Sequence, residues 1–150
     1  MQIRTFLPSD REAVLALVAD FYNSPACLHR IPVQNFADAF DEMAADRGLM
    51  RGLALVEAGR ICGYCQLAFT YSTEAGGPVV LLEELYLAPD CRGRGWGSEV
   101  LEFLKREYAG RAARIRLEVA PENPRARQLY EREGFEVLGY TQMILENFAL

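Results

Sequence analysis

Residues 85–98 read LYLAPDCRGRGWGS, and this stretch guides the interpretation of the rest of the chain. An apolar strand leads into a loop with three alternating glycines, Gly93, Gly95 and Gly97, and a helical pattern begins directly after them. Glycines let backbone N–H groups approach a ligand closely, and consecutive N–H groups at a helix N-terminus attract phosphate. Arg92 and Arg94 add cationic side chains that suit an anion. The pattern predicts a phosphate-binding loop, with a plain glycine-rich turn as the alternative.

Two other classes of phosphate loop do not fit this stretch. No segment of the chain reads G-x-x-x-x-G-K-[ST], which a P-loop requires. A dinucleotide fingerprint needs a third glycine where Ser98 stands, and it usually opens the first βαβ unit instead of following several strands. The loop therefore belongs to neither of these nucleotide-binding classes.

Upstream of the loop, apolar spacing predicts a strand, two helices and three further strands. Gln2–Phe6 is the first strand, and Ser9 with Glu12 has the capping-box spacing that starts a helix. Two helical faces follow, at Val14, Leu17, Val18 and Phe21 and at Val33, Phe36, Ala37 and Phe40, the second helix running to about Asp46. Short turns join the next strands into an antiparallel meander: Leu49–Glu57, Ile61–Tyr71 and Val79–Leu87.

Downstream of the loop, helices and strands alternate. Asn123 and Pro124 are a good N-cap and first residue for a helix, and Gly134 stands where helices usually end. The predicted elements are a helix from near 97 to 108, a strand over 115–119, a helix over 124–133, and strands at Phe135–Val137 and Tyr140–Leu145. The order β-α-α-β-β-β-α-β-α-β-β predicts an α+β, or mixed α/β, domain around one sheet.

Length and composition indicate one soluble domain spanning residues 1–150. Hydrophobic residues make up 51% and charged residues 25%, close to the averages for globular proteins. No run approaches the roughly 20 apolar residues of a membrane span, and the N-terminus lacks the apolar core of a signal peptide. We therefore expect a cytoplasmic protein with no membrane contact. The net charge of −5 argues against a nucleic-acid partner.

The charge is distributed unevenly along the chain. Residues 91–132 contain ten Lys/Arg and six Glu, whereas the remainder contains six basic and fifteen acidic residues. A basic segment in an acidic protein suggests an anionic ligand on one side and a cationic ligand on the other. Scatter of charge over a solvated surface is the alternative.

The cysteines do not predict a metal site. Cys62 and Cys65 form a C-x-x-C pair, but no second pair follows and the chain has a single histidine. Residues three apart in a strand also face opposite ways. We therefore expect no metal and free buried thiols.

Two motifs together resemble the GNAT superfamily of acyl-CoA N-acyltransferases. The segment 92–97, RGRGWG, matches [QR]-x-x-G-x-[GA], the pyrophosphate loop of that superfamily. Asn123, Tyr130, Gly134 and Phe135 match its second motif, N-x₆-Y-x₃-G-F. The resemblance is strong over residues 79–137 and rests on topology before them. It implies a central mixed sheet of about seven strands, splayed between strands 4 and 5 and flanked by four helices.

The resemblance also implies how acetyl-CoA would bind as co-substrate. Backbone amides of the loop would hold the pyrophosphate: Arg92, Gly93, Arg94, Gly95, Trp96, Gly97 and Ser98. The backbone of Leu85 and Leu87 would pair with the pantetheine arm, and an N–H near Leu87 would polarise the thioester carbonyl. Asn123 would bond to that arm or cap its own helix. Arg125 and Arg127 would reach the 3′-phosphate or face solvent.

Catalytic roles fall on two residues by the same resemblance. Tyr130 would protonate the departing thiolate or only hydrogen-bond its sulfur, because a tyrosine is the weaker acid of the two. Strand alternation places Glu83 and Glu84 on opposite faces, so at least one should face the interior or a cleft, with exposure of one or both at the splayed edge as the alternative. Glu83 matches the base of polyamine acetyltransferases in this superfamily, acting directly or through water. Glu84 matches an acidic contact for a substrate ammonium group.

The acceptor side carries less signal. His29 lies in the loop NSPACLHRIP, which covers the acceptor site in this superfamily, and Tyr22 flanks that loop. Both are candidate substrate contacts, with a structural role as the alternative for His29. The tail Phe148–Leu150 leaves a homodimer contact and a packed terminus as open alternatives.

The expected function is acetyl transfer from acetyl-CoA to a primary amine of a small cationic molecule, by direct attack in a ternary complex. A protein lysine or N-terminus is the alternative acceptor. A non-catalytic acyl-CoA-binding regulatory module is the alternative from another class, although such a module should have lost Glu83 and Tyr130.

Overall fold

The computed structural model describes residues 1–24, 31–45 and 47–145. It contains four α-helices and five strands in these residues. In chain order they are β1 (Gln2–Thr5), α1 (Arg11–Tyr22), α2 (Val33–Ala44), β2 (Met50–Glu57), β3 (Arg60–Ser72), β4 (Gly77–Leu87), α3 (Trp96–Tyr108), β5 (Arg114–Leu117) and α4 (Pro124–Arg132). Short 3₁₀ turns at Pro8–Asp10 and Pro89–Cys91 precede α1 and α3. His29, Cys27 and the tail Phe148–Leu150 lie outside the described residues.

The five strands form one mixed sheet in the order β1-β2-β3-β4-β5. The first four are antiparallel neighbours, and β5 adds in parallel to β4. The β2–β3 hairpin closes at Ala58 and Gly59, both with positive φ, as the tight turn of a hairpin requires. The predicted meander is therefore present.

The sheet opens between β4 and β5. Their pairing covers only Val79–Leu82 against Arg114–Leu117, after which β4 continues to Leu87 without β5 beside it. A β-bulge leaves Glu83 without a partner residue on β3, because Leu67 pairs with Leu82 and Gln66 with Glu84. Bulges bend a strand and increase its twist, so Glu83 marks the point where the two strands part.

Helices cover both faces of the sheet and define two apolar clusters. On one face α1 and α2 pack Val14, Val18, Phe36 and Phe40 against the sheet. On the other face α3 packs Val100, Leu101 and Leu104 against Leu53, Leu55 and Leu67. These leucines are at most 1% exposed, and each contributes about 2 kcal/mol relative to an exposed leucine. The open end of the sheet is thus fixed between two packed layers.

The expectation of about seven strands is not met, because the chain contains five in the described residues. The predicted strands Phe135–Val137 and Tyr140–Leu145 are irregular. Side chains after Phe135 are exposed, with Val137 at 79% and Met143 at 92%. Only Phe135 of this segment packs against an apolar cluster, and residues 136–145 neither pair with a strand of the described chain nor cover apolar surface.

The start of α1 also differs from the prediction. Ser9 and Glu12 form no capping box; the side chain of Asp10 accepts the N–H of Leu7 at 2.7 Å. The same carboxylate is held by Arg4 of β1 at 2.6 and 3.0 Å, and Asp10 is buried. Asp10 therefore replaces Ser9 because it ties the first strand to the first helix as well.

No helix of the described residues has the length and apolar character that crossing a bilayer requires. Cys62, Cys65 and Cys91 are buried free thiols, and the same part of the chain contains no group of His, Cys, Asp or Glu arranged for a metal ion.

Candidate active site

A cleft of about 560 Å³ lies where β4 continues alone beyond β5. Its walls are the glycine loop, the end of β4, the start of α3 and one face of α4, with Phe21 and Ser24 closing the end beside α1. The two sequence motifs, more than 25 residues apart in the chain, therefore line the same space. Among the predicted residues, the cleft contains Leu85, Leu87, Arg92, Gly93, Gly95, Trp96, Gly97, Ser98, Asn123 and Tyr130.

The glycine loop has the backbone that an anion site needs. Gly93 and Gly95 have φ of 78° and 81°, and Gly95 is the N-cap of α3. A Cβ at either position would meet no atom within 4 Å, so the space above both glycines is open. The N-terminal amides of α3 face this opening and lack helical acceptors. The loop and cleft therefore fit the pyrophosphate and arm of acetyl-CoA.

Arg92 and Arg94 already have partners inside the protein. Arg92 Nε–H donates to the Leu87 carbonyl at 2.8 Å, with its guanidinium over the Tyr86 ring. Arg94 pairs with Glu57 at 2.9 Å and stacks over Trp96. Arg94 is not a lining residue of the cleft, so the anion contacts that the loop offers are its backbone N–H groups and the Arg92 side chain.

Trp96 anchors the loop to the protein interior. Its side chain is buried with Cys62, Ala88 and Cys91. Burial, then the neighbouring Cys62, raises the pKa of Cys91 to about 11, so this thiol is protonated at neutral pH. A protonated thiol is a poor nucleophile, which agrees with direct attack by the acceptor.

Asn123 caps α4. Its side-chain oxygen accepts the Ala126 N–H at 3.1 Å, and the residue also lines the cleft. Of its two expected roles, capping is therefore visible in the structure, while contact with the cofactor arm stays a prediction. Ser98 lies near Glu133, and its hydroxyl lowers the pKa of that carboxyl, after the larger effect of Lys105.

The free edge of β4 presents backbone groups to the cleft. Ala88 N–H donates to the Cys62 carbonyl at 2.8 Å, and Tyr64 lies opposite Tyr86. In an antiparallel pair the residues that bond the neighbour alternate, so Leu85 and Leu87 direct their N–H and C=O groups away from β3. The Leu87 carbonyl accepts Arg92, which leaves the N–H groups of Leu85 and Leu87 for a ligand strand.

Tyr130 lies on the α4 wall of the cleft. Its ring contacts Phe135 edge-on at 5.9 Å between centroids. Burial first, and the nearby Cys65 second, raise the pKa of Tyr130 to about 12. The hydroxyl is therefore a hydrogen-bond donor at any ordinary pH.

Glu83 lies at the bulge, where it is an exposed residue outside those that line the cleft itself. Partial burial of the carboxyl raises the pKa of Glu83. The negative charges of Glu118 and Glu84 raise this pKa further, whereas the positive charge of Arg116 lowers it. Burial leaves the Arg116 Nε without a hydrogen-bond partner among the described groups. Glu83 thus has the environment of a carboxyl whose proton affinity is increased.

Glu84 and Tyr22 meet on the other face of the sheet. Tyr22 O–H donates to Glu84 Oε1 at 2.6 Å, and Tyr64 O–H donates to Oε2 at 2.5 Å. Burial raises the pKa of Glu84, and the two tyrosine hydrogen bonds oppose that rise. The two predicted substrate contacts therefore bind each other, and a contact of either with substrate stays a prediction.

Comparison with known proteins gives the family. The sequence profile of the acetyltransferase (GNAT) family matches residues 13–135. The chain belongs to the GNAT acetyltransferase family. It is 30% identical over 141 residues to the uncharacterized N-acetyltransferase YhfO of Bacillus subtilis (strain 168), a match that covers 91% of this chain and 90% of that protein. The thialysine N-epsilon-acetyltransferase of Bos taurus is 33% identical over 79 residues, covering 52% and 46%.

Solved structures show the same fold. A possible acetyltransferase from Clostridium difficile 630 superposes with a TM-score of 0.85 at 13% identity, covering 99% of this chain and 98% of that one. The structure of AAC(6′)-Iy with the bisubstrate analog CoA-S-monomethyl-acetylneamine has a TM-score of 0.79 at 17% identity, covering 97% of each chain. The family match, and not the likeness of fold, makes this GNAT protein an acetyl-CoA-dependent N-acetyltransferase. The cleft is its candidate active site.

Some cleft residues of this GNAT protein were missed in the sequence. Glu122, Arg132, Ser24 and Phe21 line the cleft, although Phe21 is predicted only as a core residue. Arg125 and Arg132 are seven residues apart on α4, so both fall on one helical face. That spacing, next to a phosphate loop, is the signal that would have selected Arg132.

Proposed function

We propose that this GNAT protein transfers the acetyl group of acetyl-CoA to a primary amine of a small cationic molecule. The acceptor nitrogen attacks the thioester directly, in a complex that holds both substrates. No covalent enzyme intermediate is needed, and the protonated Cys91 thiol supports that absence.

The observation that supports a cationic acceptor is the acidic pair at the open end of the sheet. Glu83 at the bulge of β4 and Glu118 just after β5 lie close enough for Glu118 to raise the pKa of Glu83. A positive group between two such carboxylates relieves their repulsion. Arg116 neutralises only part of this charge, and it lies on the β5 side of the pair.

Each part of the cleft, and Glu83 at the bulge beside it, has a separate task in the proposed reaction. Acetyl-CoA supplies the acetyl thioester when it is bound. The loop amides after Gly93 hold the pyrophosphate, and the free N–H of Leu87 polarises the acyl oxygen. Glu83, directly or through one water, accepts the proton that the acceptor ammonium loses. Tyr130 donates a hydrogen bond to the sulfur.

The raised pKa of Tyr130 favours hydrogen bonding over full proton transfer. A pKa of about 12 against a thiol reference of about 8.5 makes complete transfer unfavourable by roughly 5 kcal/mol. A hydrogen bond stabilises the developing thiolate without that cost. The proton released at Glu83 and the thiolate can then equilibrate with solvent after the acyl transfer.

The experiment that tests the proposed function is a comparison of acceptors by CoA release. Linear diamines and triamines and an aminoglycoside are compared with a neutral primary amine (one whose pKa is low enough to leave it uncharged at the assay pH), a lysine peptide and a peptide with a free N-terminus. We expect kcat/KM to be at least tenfold higher for the polycations. Higher kcat/KM for either peptide would indicate protein acetylation instead. Binding of acetyl-CoA with no formation of free CoA in the presence of any amine would indicate a non-catalytic module.

Glu118→Gln isolates the contribution of the acidic pair. It should raise the KM for a triamine several-fold while leaving the KM for a neutral amine unchanged, because only the cation interacts with that charge. Glu12→Gln, an exposed glutamate of α1, is the matched control. An equal effect on both amines would contradict a cation site between Glu83 and Glu118.

A further inference from the structure

Glu84 is a buried carboxylate that the proposed reaction does not use. Asp10 and Glu84 are the two buried charged residues among the described positions. Asp10 has the Arg4 guanidinium as its counter-ion at 2.6 Å. Glu84 instead receives two tyrosine hydroxyls, and no salt bridge in the described residues includes it. Burial of a carboxylate without a cation is costly, so its retention here requires a reason.

The hydrogen bonds of Glu84 join three elements. Tyr22 is the last residue of α1, and Tyr64 belongs to β3. The Tyr22 ring also stacks on Phe36 of α2, with centroids 4.8 Å apart. Glu84 itself is one residue after the bulge of β4. We call Tyr22, Glu84 and Tyr64 the tyrosine clamp.

The tyrosine clamp connects the cleft wall to the strand that bears the proposed base. Phe21 and Ser24, on either side of the Tyr22–Asn23 pair, line the cleft, and Ser24 O–H donates to the Phe21 carbonyl at 2.6 Å. Glu83 precedes Glu84 directly in β4. Movement of the α1 end away from β4 would therefore change the spacing between that wall and Glu83.

We infer that Glu84 is a positioning residue for acetyl transfer, which acts through Tyr22 to hold the end of α1 against the bulge of β4. The clamp fixes the acceptor side of the cleft while the cofactor loop is held independently by Trp96, Arg92 and Arg94. This inference rests on the proposed function, since it assigns the clamp to acceptor binding. It predicts separate effects on the two substrates.

Tyr22→Phe tests the clamp with little change in packing, because the ring stays stacked on Phe36. We expect the KM for a triamine to rise about tenfold, the loss typical of a hydrogen bond to a charged group. The affinity for acetyl-CoA, measured by calorimetry, should stay within twofold. Tyr108→Phe is the matched control: it is a buried tyrosine whose hydroxyl accepts from Arg51 on the opposite face of the sheet.

Two substitutions of Glu84 separate hydrogen bonding from charge. A glutamine can accept one tyrosine hydroxyl and donate to the other, whereas a leucine can do neither. Glu84→Gln should therefore retain more of the acceptor affinity than Glu84→Leu. Equal loss in both variants would show that the charge acts and the clamp geometry does not.

Hydrogen exchange gives a readout that does not depend on turnover. In Tyr22→Phe the backbone amides of residues 19–24 should exchange faster, while those of α3 stay unchanged. An unchanged triamine KM together with unchanged exchange would overturn the inference. If the wild-type protein acetylates no cationic amine, the proposed function fails, and the exchange rates alone then decide whether the clamp holds α1.

Discussion

Gly97 of α3 lies directly against Leu129 of α4. A Cβ placed on Gly97 would stand 2.7 Å from Leu129 Cδ2, well inside contact distance. Gly97 has ordinary helical φ, so close approach of the helices, and not backbone freedom, explains this glycine. Both residues line the cleft, so their contact sets the distance between the walls that the two motifs provide.

Gly97→Ala should weaken acetyl-CoA binding about fivefold, because the Leu129 side chain must turn toward the cleft or move α4 outward. Calorimetric titration with acetyl-CoA measures the change. Adding Leu129→Ala to Gly97→Ala should recover most of the affinity, since it removes the clashing methyl groups. No recovery in the double variant would contradict the packing explanation.

Tyr130→Phe should lower kcat about 30-fold and leave the acetyl-CoA dissociation constant unchanged, because the hydroxyl acts on the sulfur only as the thiolate develops. Since burial raises the pKa of Tyr130 to about 12, the wild-type enzyme should show no loss of kcat from this residue between pH 7 and 10. Steady-state kinetics over that range checks both statements. A basic limb that disappears in Tyr130→Phe would place the tyrosine pKa much lower.

Arg125→Ala should weaken acetyl-CoA binding about fourfold but leave binding of acetyl-dephospho-CoA unchanged, because an exposed arginine on the cleft rim contributes one screened phosphate contact. Arg127→Ala is the control, since that guanidinium pairs with Glu131 at 2.8 Å and is not a lining residue of the cleft. Binding of acetyl-CoA and of acetyl-dephospho-CoA to each variant, measured by competition, shows which arginine contacts the 3′-phosphate. An equal loss for both cofactors would exclude the 3′-phosphate as the partner of Arg125.

Asp10→Asn should destabilise the fold by about 2 kcal/mol at pH 7, because a partly buried Arg4 loses its carboxylate. The hydrogen bond from Arg4 lowers the pKa of Asp10, so this stability is present above the unfolded-state pKa and is lost as pH falls through the folded-state value. Thermal melts should therefore show a difference of roughly 5 °C at pH 7 that shrinks below about pH 4. Asp41→Asn, which loses an exposed pair with Arg11, should change the Tm by less than a degree or two.

Local signals in the sequence were sufficient for most of the fold. The glycine pattern predicts the loop before α3, and Asn123 with Pro124 predicts the start of α4, because both depend on neighbouring residues alone. The antiparallel meander follows from short turns between apolar runs. The same reasoning predicts two strands after Gly134 that are absent from the described residues. An apolar pattern does not specify whether the segment pairs with an edge strand of the sheet.

Long-range pairings account for what the sequence did not reveal. Tyr22 and Glu84 are 62 residues apart in the sequence, and Arg94 and Glu57 are 37 apart. Contacts at such separations produce no repeating pattern of residue types from which they could be predicted. Arg94 is therefore predicted as an anion contact although the β2 end holds it. The bulge at Glu83 is likewise a property of register between β3 and β4, which the sequence of β4 alone does not specify.

The pH dependence of kcat/KM for a triamine, in the wild-type enzyme and in Glu83→Gln, tests the central claim most directly. Partial burial and the negative charges of Glu118 and Glu84 raise the pKa of Glu83 above its usual value of 4.5. Wild-type activity should therefore fall as the pH drops through this raised pKa. Glu83→Gln should lower kcat/KM about 100-fold and remove that acidic limb, because the proton acceptor is gone. An unchanged rate and profile in Glu83→Gln, with acetyl-CoA binding intact, would contradict the assignment of Glu83 as the base.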